Sequence, residues 1–350
     1  MGIREQGGVM DSAKGKYEKL KEIKGEALLA IKDGDSAFCV APDMGGRIFA
    51  SAGGMSVHRI DLENAASPVR PFNNFGGGNF WPAPEGGRFG FNYRGNDWYV
   101  QEGINNQLFD VLAHDGVSAV IRKRVKLLNR AGTVVEAMMK RKVTVGKKPE
   151  LLKECKLSAC LTYATEDSFE ILNNVSIDEG LIACWTLEQF DANENTFSFC
   201  LTDTPQEAIN FDFYEHPGQR IVYYEKGFGY RTDGKKKGQI GIRKEASPKA
   251  IGFLDVERKL VCIRQNFSSA KDGLYFNIAD NDQPQGPFSA TDTYSIFNSD
   301  TDGKFFELET VGCADVRGKK LLGSHLVSMT SFAVFKRGED IEKWLIEKTS

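Results

Sequence analysis

The sequence predicts an all-β protein, a large antiparallel β-sandwich with short terminal helices. Three observations carry this expectation. Across most of the 350 residues, short runs rich in β-branched and aromatic side chains alternate with clusters of Gly, Asn, Asp and Pro, the rhythm of strands separated by turns. Between these runs stand Asp33-Gly34, Asp115-Gly116, Asp233-Gly234, Asp272-Gly273 and Asp302-Gly303, which have the composition of hairpin loops and so join antiparallel neighbours. Helical periodicity is confined to the two ends of the chain, too little to supply the crossovers of an α/β fold.

Taken in order, Asp11 to Ile23 places Tyr17, Leu20 and Ile23 on one helical face, with Ser12 as its cap. Strands are expected at Ser36–Ala41, Ser118–Leu128, Thr133–Val145, Lys153–Tyr163, Thr196–Leu201 and Lys259–Arg264, among others. Near the C-terminus, Glu339–Lys348 puts Ile341, Trp344 and Leu345 on one side of a second helix. The rhythm is broken once, from Ala65 to Asn96, by a long stretch dense in Gly, Asn, Pro and aromatics. A loop of that length within a compact domain is usually functional or disordered, and its aromatic content argues against disorder. No Pro- or Ser-rich linker and no fixed repeat divides the chain, so one domain over residues 1–350 is expected.

Bulk composition removes several function classes. With 45 basic and 48 acidic side chains the formal charge is -3, which provides no field to attract nucleic acid or an anionic membrane. No apolar run approaches the roughly 20 residues that span a bilayer, and the N-terminus lacks the apolar stretch of a signal peptide. The seven cysteines sit mostly in apolar, strand-like segments, form no Cys-x-x-Cys pair, and are expected to be core thiols. The four histidines, His58, His114, His216 and His325, form no zinc-binding pair, so neither metal nor cofactor is expected. The phosphate-loop and Gly-x-Ser-x-Gly patterns are absent, which disfavours phosphoryl transfer and serine hydrolysis.

Two segments carry candidate chemistry. A sugar site needs flat apolar faces against the C–H side of the ring and fixed polar groups for its hydroxyls. The stretch Asn73–Phe91 supplies both: Trp81 as a platform, Asn74, Asn79, Glu85 and Arg88 as hydroxyl partners, and glycine runs that let backbone approach a ligand. The alternative is a loop that packs its aromatics into one end of the sandwich. In the second segment, Lys304–Thr310, strand alternation puts Glu307 and Glu309 on one face. If that face lines a cleft, mutual repulsion raises one carboxyl toward neutrality and makes an acid or base of it; if it faces solvent, both are ordinary surface glutamates. Asn298, Asp300, Asp302, Gly303 and Glu309 also fit positions of a calcium-binding EF-hand loop, but the flanks read as strands rather than helices, so a β-hairpin is expected instead. His216, in Tyr214-Glu215-His216-Pro217-Gly218, is the histidine most readily placed in a cleft.

Together these segments resemble the galactose mutarotase-like (aldose 1-epimerase-like) superfamily. Cys39-Val40-Ala41-Pro42-Asp43-Met44-Gly45-Gly46-Arg47-Ile48 looks like its early strand and turn, Leu308-Glu309-Thr310 like the late strand with the catalytic glutamate, and Leu321-Leu322-Gly323-Ser324-His325 followed by Val327–Phe335 like its closing loop and final strand. The arrangement from Gly77 to Glu85 is more similar to an uncharacterised branch of the superfamily than to the epimerases. One departure stands out. The histidine acid that epimerases carry after a mid-chain Asn-rich strand is missing from Ile171-Leu172-Asn173-Asn174-Val175-Ser176 to Cys184-Trp185-Thr186-Leu187-Glu188.

The resemblance implies a sandwich with a sugar cleft on a concave sheet and a small-molecule or oligosaccharide ligand. It makes Glu309 the base that takes the anomeric proton, and adds Arg47, Glu188 and His325 to the expected site. The acid is left among His216, His325, a tyrosine and Glu188. Three functions follow: a carbohydrate-recognising protein, an aldose 1-epimerase-type isomerase, or a glycoside hydrolase or lyase using Glu309 with Glu85 or Glu307.

Overall fold

The computed structural model describes residues 8–69, 72–212, 214–268, 292–301 and 303–350, and the side chains of all of these but 8–14. Among them, two large sheets dominate, and every strand pairing in both is antiparallel. A ten-stranded sheet runs Leu29–Asp33, Ser36–Ala41, Arg47–Ala52, Gly77–Ala83, Ala183–Asp191, Phe305–Val311, Asp292–Asn298, Gly238–Arg243 and Ile209–Asn210, with Met55–Ser56 added on Arg47–Ala52. An eleven-stranded sheet runs Ile221–Tyr224, Gly227–Arg231, Thr196–Leu201, Ala250–Asp255, Leu260–Asn266, Lys320–Phe335, Leu157–Ile171, Val134–Val145, Ser118–Leu128 and Asp110–His114, with Cys313–Arg317 added on Lys320–Phe335.

The core lies between the two sheets, where alternate residues of each strand interleave. Phe80 meets Phe169 with ring centroids 4.9 Å apart, and Phe190 meets Phe253 at 4.6 Å. Cys184, Cys200 and Cys262 are buried in this layer as small apolar groups, as expected. The terminal helices cover the outer faces. Gly8–Lys24 lays Tyr17 and Leu20 over Cys39, Ala41 and Phe49 at one side of the ten-stranded sheet. Ile341–Thr349, capped by Asp340 on the backbone N–H groups of Glu342 and Lys343, lays Trp344 and Leu345 over the other sheet. The first helix starts ahead of Ser12, which lies inside it and does not cap it.

Most expected strands form where the residues put them. Two readings need correction. The stretch from Ala65 to Asn96 is no continuous loop: Gly77–Ala83 is a fully buried strand in the ten-stranded sheet, between Arg47–Ala52 and Ala183–Asp191. Gly and Pro within it hid the strand from any propensity argument. Leu321–His325, read as a closing loop, belongs to the 16-residue strand Lys320–Phe335. The turn at Asp272-Gly273 and residue Asp302 lie outside the described residues. Asn298 ends a strand that pairs antiparallel with Phe305–Val311, as the hairpin reading expects, and its side chain bonds the backbone of Gly234 and Lys236. Among the described residues no helix is long and apolar enough to cross a membrane.

Two buried arginines tie the layers together. Arg141 forms a two-pronged pair with Asp167 at 2.7 and 3.2 Å and donates to the carbonyls of Gly78 and Asn79 on the opposite sheet and of Gly46 in the turn before Arg47–Ala52. Arg264 pairs with Glu188 at 2.5 Å and donates to Thr186, Thr310 and Thr330.

Candidate functional site

The N-terminal helix covers only part of the outer face of the ten-stranded sheet. Beside it the face is open, and there lies a cleft of about 200 Å³. Register explains which side chains enter it. Trp81 stands opposite Trp185, Asn79 opposite Leu187, Leu187 opposite Glu309, and Gln189 opposite Glu307. Because strand residues alternate faces, these odd-numbered positions point outward while Phe80, Thr186, Glu188, Phe190, Leu308 and Thr310 point into the core.

The run Gly76-Gly77-Gly78 sets this register. A Cβ at Gly76 would lie 2.2 Å from the Arg59 carbonyl oxygen, at Gly77 2.6 Å from that of Ile48, and at Gly78 2.6 Å from Oε2 of Glu188. Gly76 and Gly77 also have φ of 83° and 73°. The glycines therefore permit close approach of backbone to the protein's own core, rather than to a ligand as expected.

Aromatic rings wall the cleft. Trp81 and Trp185 meet edge to face at 6.1 Å, Phe72 meets Trp81 at 6.1 Å and Trp98 at 5.2 Å, and Tyr214, Phe297 and Phe305 complete the lining. The indole N–H groups have different fates. That of Trp185 donates to Glu309 at 3.1 Å and that of Trp98 to Glu85 at 2.9 Å, whereas that of Trp81 is buried with no partner among the described residues, as is Oδ1 of Asn74. Each lost partner of a buried polar atom costs about 1–3 kcal/mol, so these two atoms are places where a ligand gains more than it would from satisfied groups.

The carboxyls form the polar floor. Gln189 donates to Glu307 at 2.7 Å, and Gln239 donates to Glu309 at 3.2 Å and to Ser295 at 2.8 Å. Burial, opposed by hydrogen bonds from Gln189 and Glu309 and by the charges of Arg47 and Arg59, pushes Glu307 up to about 7. Burial and then the Glu307 charge push Glu309 well above the usual carboxylate range, with Glu85 adding to the effect. At neutral pH Glu309 therefore keeps its proton and Glu307 is poised to gain or lose one. Arg47 completes the floor. Its Nε donates to the Gly76 carbonyl, its Nη1 to Met44 and to Asn105 at 2.9 Å, and burial pulls it down to about 9.

The cleft thus brings together seven of the eleven residues expected in a site: Arg47, Asn74, Asn79, Trp81, Glu85, Glu307 and Glu309. Four lie elsewhere. Glu188 is on the inner face of its strand, bonded to Nε2 of His58 at 2.6 Å, to the Tyr163 hydroxyl at 2.8 Å and to Arg264. Burial raises its carboxyl, but the Arg264 charge and the His58 and Tyr163 hydrogen bonds outweigh that and hold it at about 2. Arg88 is exposed, packed over Phe89 and reaching the Asp178 carbonyl. His216 is exposed against Phe211 and accepts from the Gly218 N–H, while Tyr214, two residues earlier, lines the cleft. His325 is exposed on the other sheet. None of the four histidines lines the cleft.

Sequence reasoning missed Trp98, Trp185, Leu187, Gln189, Gln239, Phe72, Phe297 and Phe305 as lining residues. For Trp185, Leu187 and Gln189 the alternation was visible, but which face opens outward depends on register with Gly77–Ala83.

The chain is similar to solved structures of the same architecture. It resembles a putative aldose 1-epimerase from Escherichia coli K12 at 12% identity and a TM-score of 0.52, covering 87% of this chain and 98% of that one. It resembles the Slr1438 protein from Synechocystis sp. PCC 6803 at 11% identity and a TM-score of 0.50, covering 87% and 94%. No curated protein matches it in sequence. The fold is the galactose mutarotase-like β-sandwich that the sequence resemblance implied. Within that architecture, a model described as a family of unknown function (DUF6786) matches residues 14–332, and the chain belongs to that family.

Proposed function

We propose that the protein recognises a carbohydrate, holding one sugar ring in the cleft on the ten-stranded sheet. The observation that carries this reading is the convergence of three indoles with Asn74, Gln189, Gln239 and three glutamates around one cavity. Indole faces cover the C–H side of a pyranose, and the carboxyls and amides answer its hydroxyls. The unpartnered Trp81 N–H awaits an acceptor such as a sugar hydroxyl. About 200 Å³ is small beside the roughly 300–1,000 Å³ of typical ligand pockets, which fits one ring better than a buried oligosaccharide. Calorimetric titration with a panel of monosaccharides tests it: binding lost on Trp81→Ala supports the reading, and no binding by any member of the panel refutes it.

The Glu307–Glu309 pair favours one catalytic reading, an aldose 1-epimerase-type isomerase. The roles differ from those the resemblance implied. Glu309, which holds its proton, protonates the ring oxygen as the C1–O5 bond breaks. Glu307 takes the proton of the anomeric hydroxyl, leaving an open-chain aldehyde. Reclosure on either face of the carbonyl returns both protons. One-dimensional NMR of anomer interconversion decides it: acceleration lost in Glu309→Gln is expected, and equal rates with and without protein contradict it.

A further inference from the structure

We propose that Gln239 is a positioning residue for proton transfer in the cleft: with Trp185 it holds one oxygen of Glu309, Oε2, and so confines the carboxyl's proton to the other, Oε1. This rests on the isomerase reading above and deepens it. Oε2 of Glu309 accepts from the Trp185 indole N–H at 3.1 Å and from the Gln239 amide at 3.2 Å. An indole N–H can only donate, and two donors use both lone pairs of a carbonyl oxygen. Oε2 is therefore the carbonyl oxygen of the neutral acid, and the O–H is on Oε1. The amide is itself pinned. Gln239 stands on Gly238–Arg243 and reaches across Asp292–Asn298, where Ser295, opposite Glu309 in register, accepts from it at 2.8 Å. Gln239, Ser295 and Glu309 are all buried, which strengthens these bonds.

The second carboxyl is held by a parallel device. Gln189 donates to Oε1 of Glu307 at 2.7 Å, and its own side-chain carbonyl accepts from Arg59 at 3.4 Å. A guanidinium can only donate, so this contact fixes which end of the amide faces Glu307. Glu307 in turn accepts a hydrogen bond from Glu309. In the free protein the Oε1 proton is thus turned toward Glu307, and the ring oxygen of a bound sugar takes the place of Glu307 as its acceptor. As the C1–O5 bond breaks, the Oε1–H bond breaks with it: the proton goes to O5 and the electron pair stays on Glu309. The charge spreads to Oε2, where two N–H groups already point. These donors stabilise the carboxylate more than the acid, so they favour the transition state over the bound ground state. Burial and the Glu307 charge raise Glu309, and the Trp185 hydrogen bond opposes them, which is the direction this role requires.

The test reads the carboxyl directly. Infrared spectra of the full chain, carrying isotope-labelled glutamate, are recorded in mildly alkaline buffer, where exposed carboxyls and most of Glu307 are ionised and the neutral-acid C=O band reports Glu309. Loss of the band in Glu309→Gln confirms its origin. Hydrogen bonds to a carbonyl oxygen lower its stretching frequency. Gln239→Met, which is nearly isosteric, and Trp185→Phe, which keeps an aromatic ring, each remove one donor and should each move the band up. A substitution that only loosened the fold would lower the melting temperature and leave the band in place. In anomer exchange followed by NMR, Gln239→Met should lower kcat about ten-fold or more with a smaller change in KM. A band unmoved in both folded variants overturns the positioning role, as does the absence of a neutral glutamate band in the parent, and a parent that still accelerates exchange then keeps the isomerase reading. A band that shifts in a protein whose parent form does not accelerate exchange overturns the isomerase reading and the role in proton transfer together.

Discussion

Glu307 and Glu309 stand two residues apart on one strand, and alternation alone puts them on a common face. That much was legible in the sequence. Their state was not, because it depends on Gln189, Gln239, Trp185 and Arg47, which arrive from three other strands and shape the desolvated floor. Two histidines and an arginine lie outside the cleft for a related reason: His216, His325 and Arg88 carry suitable chemistry, but sequence cannot tell a cleft-facing group from one facing solvent. Glu188 is one position of strand parity away from the cleft face, and it enters the core beside His58 and Arg264. The raised carboxyls have a consequence for stability. The folded protein binds their protons more tightly than the unfolded chain, so this contribution is full below about 4.5 and is lost as pH rises through about 7 and above. Glu309→Gln removes one member of the pair. The variant should therefore gain on the parent as pH rises across this window, while the two differ least in acid. Thermal melts at a series of pH values check this, and parallel curves contradict it.

At the scale of elements, the strand Gly77–Ala83 organises the site, and it is the element least visible in the sequence. Its glycines are demanded by backbone proximity, and its Pro82 by no pattern that strand propensity recognises. Long strands such as Ser118–Leu128 and Val134–Val145 were read easily because each buries one face and exposes the other, giving clean alternation. Gly77–Ala83 buries both faces, under the cleft lining on one side and the core on the other. A pair of substitutions separates close packing from mere backbone strain. Gly78→Ala drives a methyl group toward the buried Glu188 carboxylate and should cost about 3 kcal/mol or more. Gly95→Ala, at φ of 61° with nothing within 4 Å, should cost only about 1–2 kcal/mol. Denaturant unfolding of both variants measures the difference. Equal losses would mean that Gly78 is not packed against the core as described.

Over the whole molecule, the sandwich class and the terminal helices were legible from turn chemistry and periodicity, whereas the contacts that lock one sheet to the other were not. Arg141 stands in Met139-Lys140-Arg141-Lys142; alternation sends it inward with Met139, to Asp167 and to three carbonyls beneath the cleft, while the two lysines face the other side. Removing it strands a buried carboxylate. Arg141→Ala should therefore cost about 3–5 kcal/mol, and replacing Arg141 and Asp167 together by leucine should cost less. Chemical denaturation of the two variants checks the order, and a double variant no better than Arg141→Ala contradicts it. What the two sheets achieve together is a rigid floor on which residues from distant parts of the chain meet, and the central claim is that this floor holds one sugar. The most direct measurement is calorimetric titration of the sugar that binds the parent into folded Trp81→Ala and Glu85→Ala. The account predicts that each variant loses affinity, Trp81→Ala by about 2 kcal/mol or more as a central aromatic anchor; unchanged affinity in both would contradict it.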